Sequence, residues 1–184
     1  MKIAVFVDIQ NDFVKGGALP FAYPERDNVP QIISFAKSCR DNGWQLFATA
    51  DTHDKETYLT DTLEGKLLPI EHCLRGTEGH KIVDDLLRDE KGIIIPEEHI
   101  IQKYTFGSYT LGAEIQSIDE EIEEIVICGY CTSICVAANA ILLRAKFRNT
   151  KITVRADLCG DVTESSHNAA IQVMKMQQID IKYN

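Results

Sequence analysis

The hydrophobic pattern of the chain switches between two periods. Ile3–Val7, Trp44–Ala50 and Ile125–Cys128 are short, nearly unbroken apolar runs rich in β-branched and aromatic residues. Runs of that length suit strands buried on both faces of a parallel sheet. Lys151–Ala156 reads as a further strand followed by a loop over Asp157–Asp161, Ile179–Tyr183 as a terminal strand, and Ile93–Ile95 and Ile100–Lys103 as brief β-like runs. Helical spacing takes over in between. A helix is expected near Pro30–Asn42, closed by Gly43, a short amphipathic one over Lys81–Glu90, and another over Leu111–Ile118. Ile134, Ala137, Ala138, Ile141, Leu142 and Ala145 form one helix face, which Thr132 or Ser133 can cap. Thr163 opens a last helix that runs through Gln177. Strands alternating with helices predict the α/β class. The expected form is a single domain over residues 1–184, a doubly wound sandwich with a mostly parallel sheet of about six strands and helices on both faces.

Ligands of such sheets bind beyond the carboxyl ends of the strands. Asp8, Asp51 and Lys103 each end a predicted strand, and Cys135 follows one after the tight turn at Gly129. The pattern therefore places four chemically complementary groups on one rim. From Asp54 to about Gly79 the chain is polar and holds Glu64, Pro69, His72 and Gly76. A connection of that length inside a compact domain is usually functional.

Composition narrows the partners. The net charge of −9 argues against nucleic acid and anionic membranes. No apolar run is long enough to span a bilayer, and Met1-Lys2 before Ile3–Val7 is too short for a signal peptide. A cytoplasmic protein is expected. Its six cysteines, at 39, 73, 128, 131, 135 and 159, then read as reduced thiols. None of their spacings is read as Cys-x-x-Cys, so neither a zinc finger nor a thioredoxin-like motif is expected.

Cys135 falls in the first turn of its helix, where backbone N–H groups and the helix dipole favour an anion. A thiol so placed is expected to ionise more easily than a free cysteine. Asp8 can be the base that takes its proton, and Lys103 the cation that favours the thiolate. Backbone N–H groups at Cys131 and Cys135 can form an oxyanion hole. The plainer alternatives are a structural buried cysteine and a simple Lys103–Asp8 ion pair. Asp51 and His53 leave their strand two residues apart and project the same way. With His72 and Glu64 from the following loop they suit Zn²⁺, Mn²⁺ or Fe²⁺; a solvated loop is the competing reading.

These motifs, in this order, resemble the isochorismatase-like cysteine hydrolases, and within them the nicotinamidases. The resemblance rests on Asp-x-Gln-x-Asp-Phe at Asp8–Phe13, followed by Gly16-Gly17-Ala18-Leu19. It rests also on Asp51-Thr52-His53, on Pro69-Ile-Glu-His72-Cys73 with Gly76-Thr77-x-Gly79, on the strand ending at Lys103, and on Gly-x-x-Thr-x-x-Cys at Gly129–Cys135. It covers nearly the whole chain. It implies a triad of Asp8, Lys103 and Cys135. It implies a divalent metal, zinc foremost, on Asp51, His53 and His72, with Glu64 as a fourth ligand in some members. It also implies a cis peptide at Tyr130–Cys131, an aromatic substrate wall at Phe13, and a homo-oligomer, dimer or tetramer. Two departures stand out. Tyr130 and Cys131 replace smaller residues, which brings Tyr130 into the expected substrate contacts, and Ser133 stands where an acidic residue is common.

The expected activity is hydrolysis of a small amide through a thioester on Cys135, nicotinamide to nicotinate and ammonia first among them, as in NAD salvage. The nearest rival is a family amidase acting on another small amide or carbamoyl group. A flavodoxin-like binding module would need a phosphate-cradling loop, and Gly16-Gly17 lacks the Gly-x-Gly-x-x-Gly order. A thiol-redox protein using Cys131 and Cys135 is the third reading.

Overall fold

Ile3 to Val7 have no exposed surface, and the other strands are laid on either side of them. The computed structural model describes residues 1–118 and 120–184. In chain order the elements begin with strand β1 (Lys2–Val7), helix α1 (Val29–Asp41) and strand β2 (Gln45–Asp51). Two short helices, α2 (Tyr58–Asp61) and α3 (Leu63–Leu67), follow, then a single turn, α4 (Asp84–Leu87), and a two-stranded ladder, β3 (Arg88–Asp89) and β4 (Gly92–Ile93). A 3₁₀ turn at Glu97–His99 leads into β5 (Ile100–Lys103) and α5 (Tyr109–Ser117). Strand β6 (Glu124–Tyr130) then runs through a π-turn (Thr132–Val136) into α6 (Ala137–Lys146). The chain closes with β7 (Lys151–Gly160), α7 (Glu164–Met176) and β8 (Asp180–Lys182).

Six strands form one parallel sheet in the order β5-β2-β1-β6-β7-β8. The order reverses between β1 and β6. Right-handed crossovers then send the connections before and after that point to opposite faces. One face carries α1 packed with α4, the other α5, α6 and α7 side by side. The crevice at such a reversal is where ligands bind, and it opens beside Asp8 and the turn after Tyr130. Among the described residues, no helix is long and apolar enough to cross a membrane.

Local chemistry explains where elements start. Val29 N donates to Asp27 Oδ1 (2.9 Å), with Pro30 just inside α1. Thr163 and Ser166 form a reciprocal capping box at α7. It also explains three departures from the expected elements. The helix expected over Lys81–Glu90 is only one turn, because Asp89 turns the chain by accepting from Lys91 N (2.9 Å) and binds both guanidinium nitrogens of Arg40. The run Ile93–Ile95 therefore starts in that small ladder and not in the main sheet. Of the loop expected over Asp157–Asp161, the first four residues are the upper half of β7, which ends at Gly160. Ile127 pairs with Val154 but Gly129 with Cys159, so β7 bulges between these pairs. Arg155 and Asp157 satisfy each other across the bulge (2.6 and 2.8 Å) while Ala156 and Leu158 stay buried.

Gly129 does not end its strand. It continues β6 with φ +130°, and a Cβ there would run into the carbonyl oxygen of Val7. Gly43 also has a positive φ, +75°, but faces open space. Gly129→Ala is expected to cost at least ~2 kcal/mol, against about 1 kcal/mol for Gly43→Ala. Urea unfolding midpoints of the two variants test this, and equal losses would contradict the close-approach argument.

Candidate active site

The end of β1 is pinned to β2. Asp8 leaves the strand with φ +52°, its N–H shared between Thr49 O and Thr49 Oγ1 (both 3.2 Å), while the Thr49 hydroxyl donates to Asp8 Oδ1 (2.6 Å). Asp51 and Lys103 are register partners on β2 and β5, so their side chains rise on one face. Lys103 Nζ lies 2.8 Å from Asp8 Oδ2, 2.9 Å from Asp51 Oδ1 and 3.5 Å from Cys135 Sγ. All four residues are buried. The contact with Asp8 Oδ2 is ionic but off the line a hydrogen bond needs, so that oxygen has no directed partner.

Electrostatics follow from burial and from that one cation. Burial pushes the Asp8 carboxyl up, against the pull of Lys103. Burial likewise holds the Cys135 thiol well above its ordinary value; Lys103 opposes this, and Asp8 and Asp51 add to it. The easily ionised thiol expected from a helix start is not what forms. Cys135 sits inside a wide π-turn, closed by Val136 N donating to Cys131 O (3.0 Å), and is buried. Burial works to lower Lys103, yet Asp8, Cys135 and Asp51 hold it well above the usual lysine range. Asp51 is held low because Lys103 and the two imidazoles outweigh its burial.

Asp51, His53, Glu64 and His72 each offer one ligand atom, and these atoms lie within 4.8 Å of one another. His53 Nε2 is 2.9 Å from Asp51 Oδ2 and 3.6 Å from Glu64 Oε1; His72 Nε2 is 3.5 and 3.7 Å from the same two oxygens. Tetrahedral zinc with bonds of about 2.0–2.1 Å spaces its ligands about 3.3 Å apart, so the donor set fits such an ion. His72 Nδ1 donates to Ile70 O (2.8 Å), which leaves the Nε2 lone pair free for a cation. Glu64 is pushed up by burial and by the facing Asp51 carboxylate, a repulsion that a cation would relieve.

Above these groups lies a cavity of about 260 Å³. Phe13, Leu19, Phe21, Phe106, Ile134 and Val162 give it an apolar lining; Asp51, Glu64, His72, Cys131 and Cys135 supply the polar side. Drug-sized ligand sites start near 300 Å³, so this one suits a molecule of about one ring.

A family model described as the isochorismatase domain matches residues 2–181. The chain belongs to the isochorismatase family. It is 26% identical over 174 residues to the uncharacterized isochorismatase family protein PncA of Bacillus subtilis, with 92% of each chain covered. It is 26% identical to the nicotinamidase of Escherichia coli, covering 95% of this chain and 90% of that one. Among solved structures, the pyrazinamidase of Pyrococcus horikoshii in complex with zinc superposes with a TM-score of 0.79 at 23% identity, over 98% of both chains.

Within this family fold the sequence-predicted residues converge, with two exceptions. Asp8, Lys103 and Cys135 meet, as do Asp51, His53, Glu64 and His72; Phe13 lines the cavity; the Tyr130–Cys131 peptide is cis. Tyr130 does not line the cavity. Its hydroxyl donates to the buried Asn28 Oδ1 (2.5 Å), and its ring stacks at 4.3 Å on Phe21, which does form the wall. The second exception concerns the cysteines. Cys128 and Cys131 do have the Cys-x-x-Cys spacing, contrary to the expectation. Cys128 lies wholly in the core, however, Cys131 faces the cavity, and both thiols are free. Burial, then Asp161, pushes Cys131 up to about 12.

Several braces carried no chemical signal of their own. Gln10 accepts from Asp51 N (2.7 Å) and donates to Asp51 O and His80 O (both 2.8 Å), fixing the end of β2. Asp12 accepts from Cys73 N (2.7 Å) and so holds the His72 loop; a Cβ on Gly79 would strike that carboxylate. Asn139 donates to Cys135 O (2.8 Å) and accepts from Ser108 N (2.9 Å), tying α6 to the start of α5. The Asp-x-Gln-x-Asp motif was the available clue for the first two.

Tyr130→Phe leaves Asn28 Oδ1 buried without its donor, and should destabilise the fold by about 1–3 kcal/mol. The cavity should be unaffected, so iodoacetamide should label Cys135 at the wild-type rate. Thermal denaturation and intact-mass labelling check both halves; a large change in labelling with no loss of stability would restore Tyr130 to the cavity.

Proposed function

We propose that this protein hydrolyses a small, neutral, ring-bearing amide to its acid and ammonia through a thioester on Cys135, with nicotinamide as the leading substrate. The observation that carries the reading is the placement of one buried ammonium against two carboxylates and a thiol, at the floor of a one-ring apolar cavity. A structural ion pair has no need of the thiol or the cavity. The family relatives named nicotinamidase support the choice of amide.

The chemistry follows from the protonation bias. The thiol is held neutral by burial, so a base is required at the moment of attack. Asp8 Oδ2 is the oxygen without a directed partner, and it takes the proton. Cys135 Sγ attacks the amide carbon, and the oxyanion is placed against backbone N–H groups of Cys131 and Cys135. The C–N bond breaks as Asp8 returns the proton to the leaving nitrogen, so ammonia departs and the acyl group remains on sulfur. Water then gives a proton to Asp8 and attacks the thioester. The acid leaves, and Sγ recovers its proton. Lys103 keeps its charge throughout and balances whichever of Asp8 and Cys135 is anionic. A divalent metal held by Asp51, His53, Glu64 and His72 would supply Lewis acidity and a coordination position for a ring nitrogen.

Among the described residues no Lys or Arg lines the cavity. A substrate with two carboxylates would meet Asp51 and Glu64 there with only a bound metal to offset them, which disfavours cleavage of a carboxylated vinyl ether. Another small amide or carbamoyl compound remains the second reading, because the lining selects for size and neutrality.

Ammonia release from a panel of small amides tests the proposal. Nicotinamide should be turned over, and Cys135→Ala should lower the rate at least ~10³-fold with the Tm preserved. Turnover that survives in the alanine variant would remove the thioester.

The ligand set has its own test. His53→Ala and His72→Ala should each lower the content of divalent metal found by elemental analysis, and chelation should stop turnover without unfolding the sheet. Full activity in a chelated protein that takes up no Zn²⁺, Mn²⁺ or Fe²⁺ would leave those residues a solvated loop.

A further inference from the structure

Asp161 follows the last residue of β7 and is wholly buried. Its carboxylate accepts from Ser133 N (2.8 Å, to Oδ2), from Ser133 Oγ (2.9 Å, to Oδ1) and from Val162 N (2.7 Å, to Oδ1). Among the described residues no Lys or Arg pairs with it, in contrast to Asp8 and Asp51. A buried carboxylate satisfied only by neutral donors is costly. Its backbone is equally committed. Asp161 O accepts from Ala22 N (3.0 Å) and Tyr23 N (2.9 Å), and Asp161 N donates to Tyr23 O (2.7 Å). That pairing holds the segment whose Leu19, Pro20 and Phe21 form one wall of the cavity. One residue earlier, Gly160 O accepts from the Thr132 hydroxyl (3.1 Å), whose oxygen is 2.8 Å from His167 Nδ1. A Cβ at Gly160 would press on the rings of Tyr130 and Phe21.

Both residues between Cys131 and Ile134 are therefore held from the tip of β7, and the same tip holds the opposite wall. We propose that Asp161 is a positioning residue: it sets the turn that carries Cys135 and fixes its distance from the wall against which the substrate ring lies. The proposal rests on the reading of Cys135 as the nucleophile. A plain helix-capping role would require only the Ser133 N contact. The second oxygen, shared by Ser133 Oγ and Val162 N, and the Tyr23 pairing link two sides of the cavity instead.

The chemistry of the carboxylate supplies the test. Two backbone N–H groups point at two different oxygens. An amide presents one acceptor and one N–H₂, so in either orientation Asp161→Asn sets a donor against a backbone donor. Asp161→Asn should lower kcat for nicotinamide at least tenfold, with KM changed less than threefold, because the cavity lining is retained while the attack geometry is not. Ser133→Ala removes one hydroxyl contact and keeps Ser133 N on Oδ2; its kcat should fall less than threefold. Hydrogen exchange on the peptide spanning residues 131–137, with the rate of Cys135 alkylation by iodoacetamide, reads the same turn without any substrate. In Asp161→Asn the Ser133 amide should lose protection and the alkylation rate should shift, while peptides from β1 and β2 exchange as in wild type. A wild-type protein that hydrolyses no amide would fail the functional reading and leave the exchange result to decide this one. Wild-type exchange and alkylation in Asp161→Asn, or a fall in kcat matched by loss of protection throughout the sheet, would overturn the proposal. If Asp161→Asn does not fold, Ser133→Pro removes the amide that donates to Asp161 Oδ2 and leaves Asp161 in place, and unchanged kcat in that variant would equally overturn the proposal.

Discussion

The contact on which the site depends is that of the Lys103 ammonium with the buried carboxylates of Asp8 and Asp51. Each of these ions has left water, at a cost of several kcal/mol apiece after relaxation. The arrangement is tolerable only because one cation serves both anions at 2.8 and 2.9 Å. That requires three strand ends to stop at matching heights. Parallel pairing of β5, β2 and β1 provides it, with Asp51 opposite Lys103 and Val7 opposite Thr49. A slip of one residue in any of the three would turn a charged group to the other face of the sheet. Strand register and site chemistry are thus the same constraint seen at two scales.

Much of this was legible in the sequence for a physical reason. Strands buried on both faces must be apolar throughout, so the first charged residue marks the edge of the sheet. Asp8, Asp51 and Lys103 announced themselves that way. The long polar connection after Asp51 stood out because it has too little apolar content to be buried for its own sake, and it does deliver Glu64 and His72. The residues that brace the site were less visible. Gln10, Asp12 and Asn139 act by binding backbone groups of segments distant in sequence, and such partners leave no periodic trace.

The misreadings have a common source, which is that local pattern does not report tertiary partners. Asp157–Asp161 looked like a loop because its charges break the apolar run, yet Arg155 neutralises Asp157 at 2.6 Å and the strand continues. Tyr130 looked like a pocket residue because it is larger than the residue usual there. Its hydroxyl found Asn28 and its ring found Phe21, so it supports the wall from behind. The thiol was expected to ionise readily from its place at a helix start. A π-turn took the place of that simple end, and burial holds the thiol above its ordinary value.

Charge also bears on the direction of the reaction. The cavity is lined by the carboxylates of Asp51 and Glu64 and, among the described residues, by no Lys or Arg, and Asp8 lies beneath it. A neutral amide entering such a space meets mainly apolar surface and loses little by leaving water. In the proposed reaction the acid formed there is an anion at neutral pH, and it appears beside Cys135 just as Asp8 returns to its charged form. A divalent cation would offset Asp51 and Glu64 and leave Lys103 to balance Asp8. Without that cation three carboxylates face one ammonium, and an anion formed among them meets net repulsion.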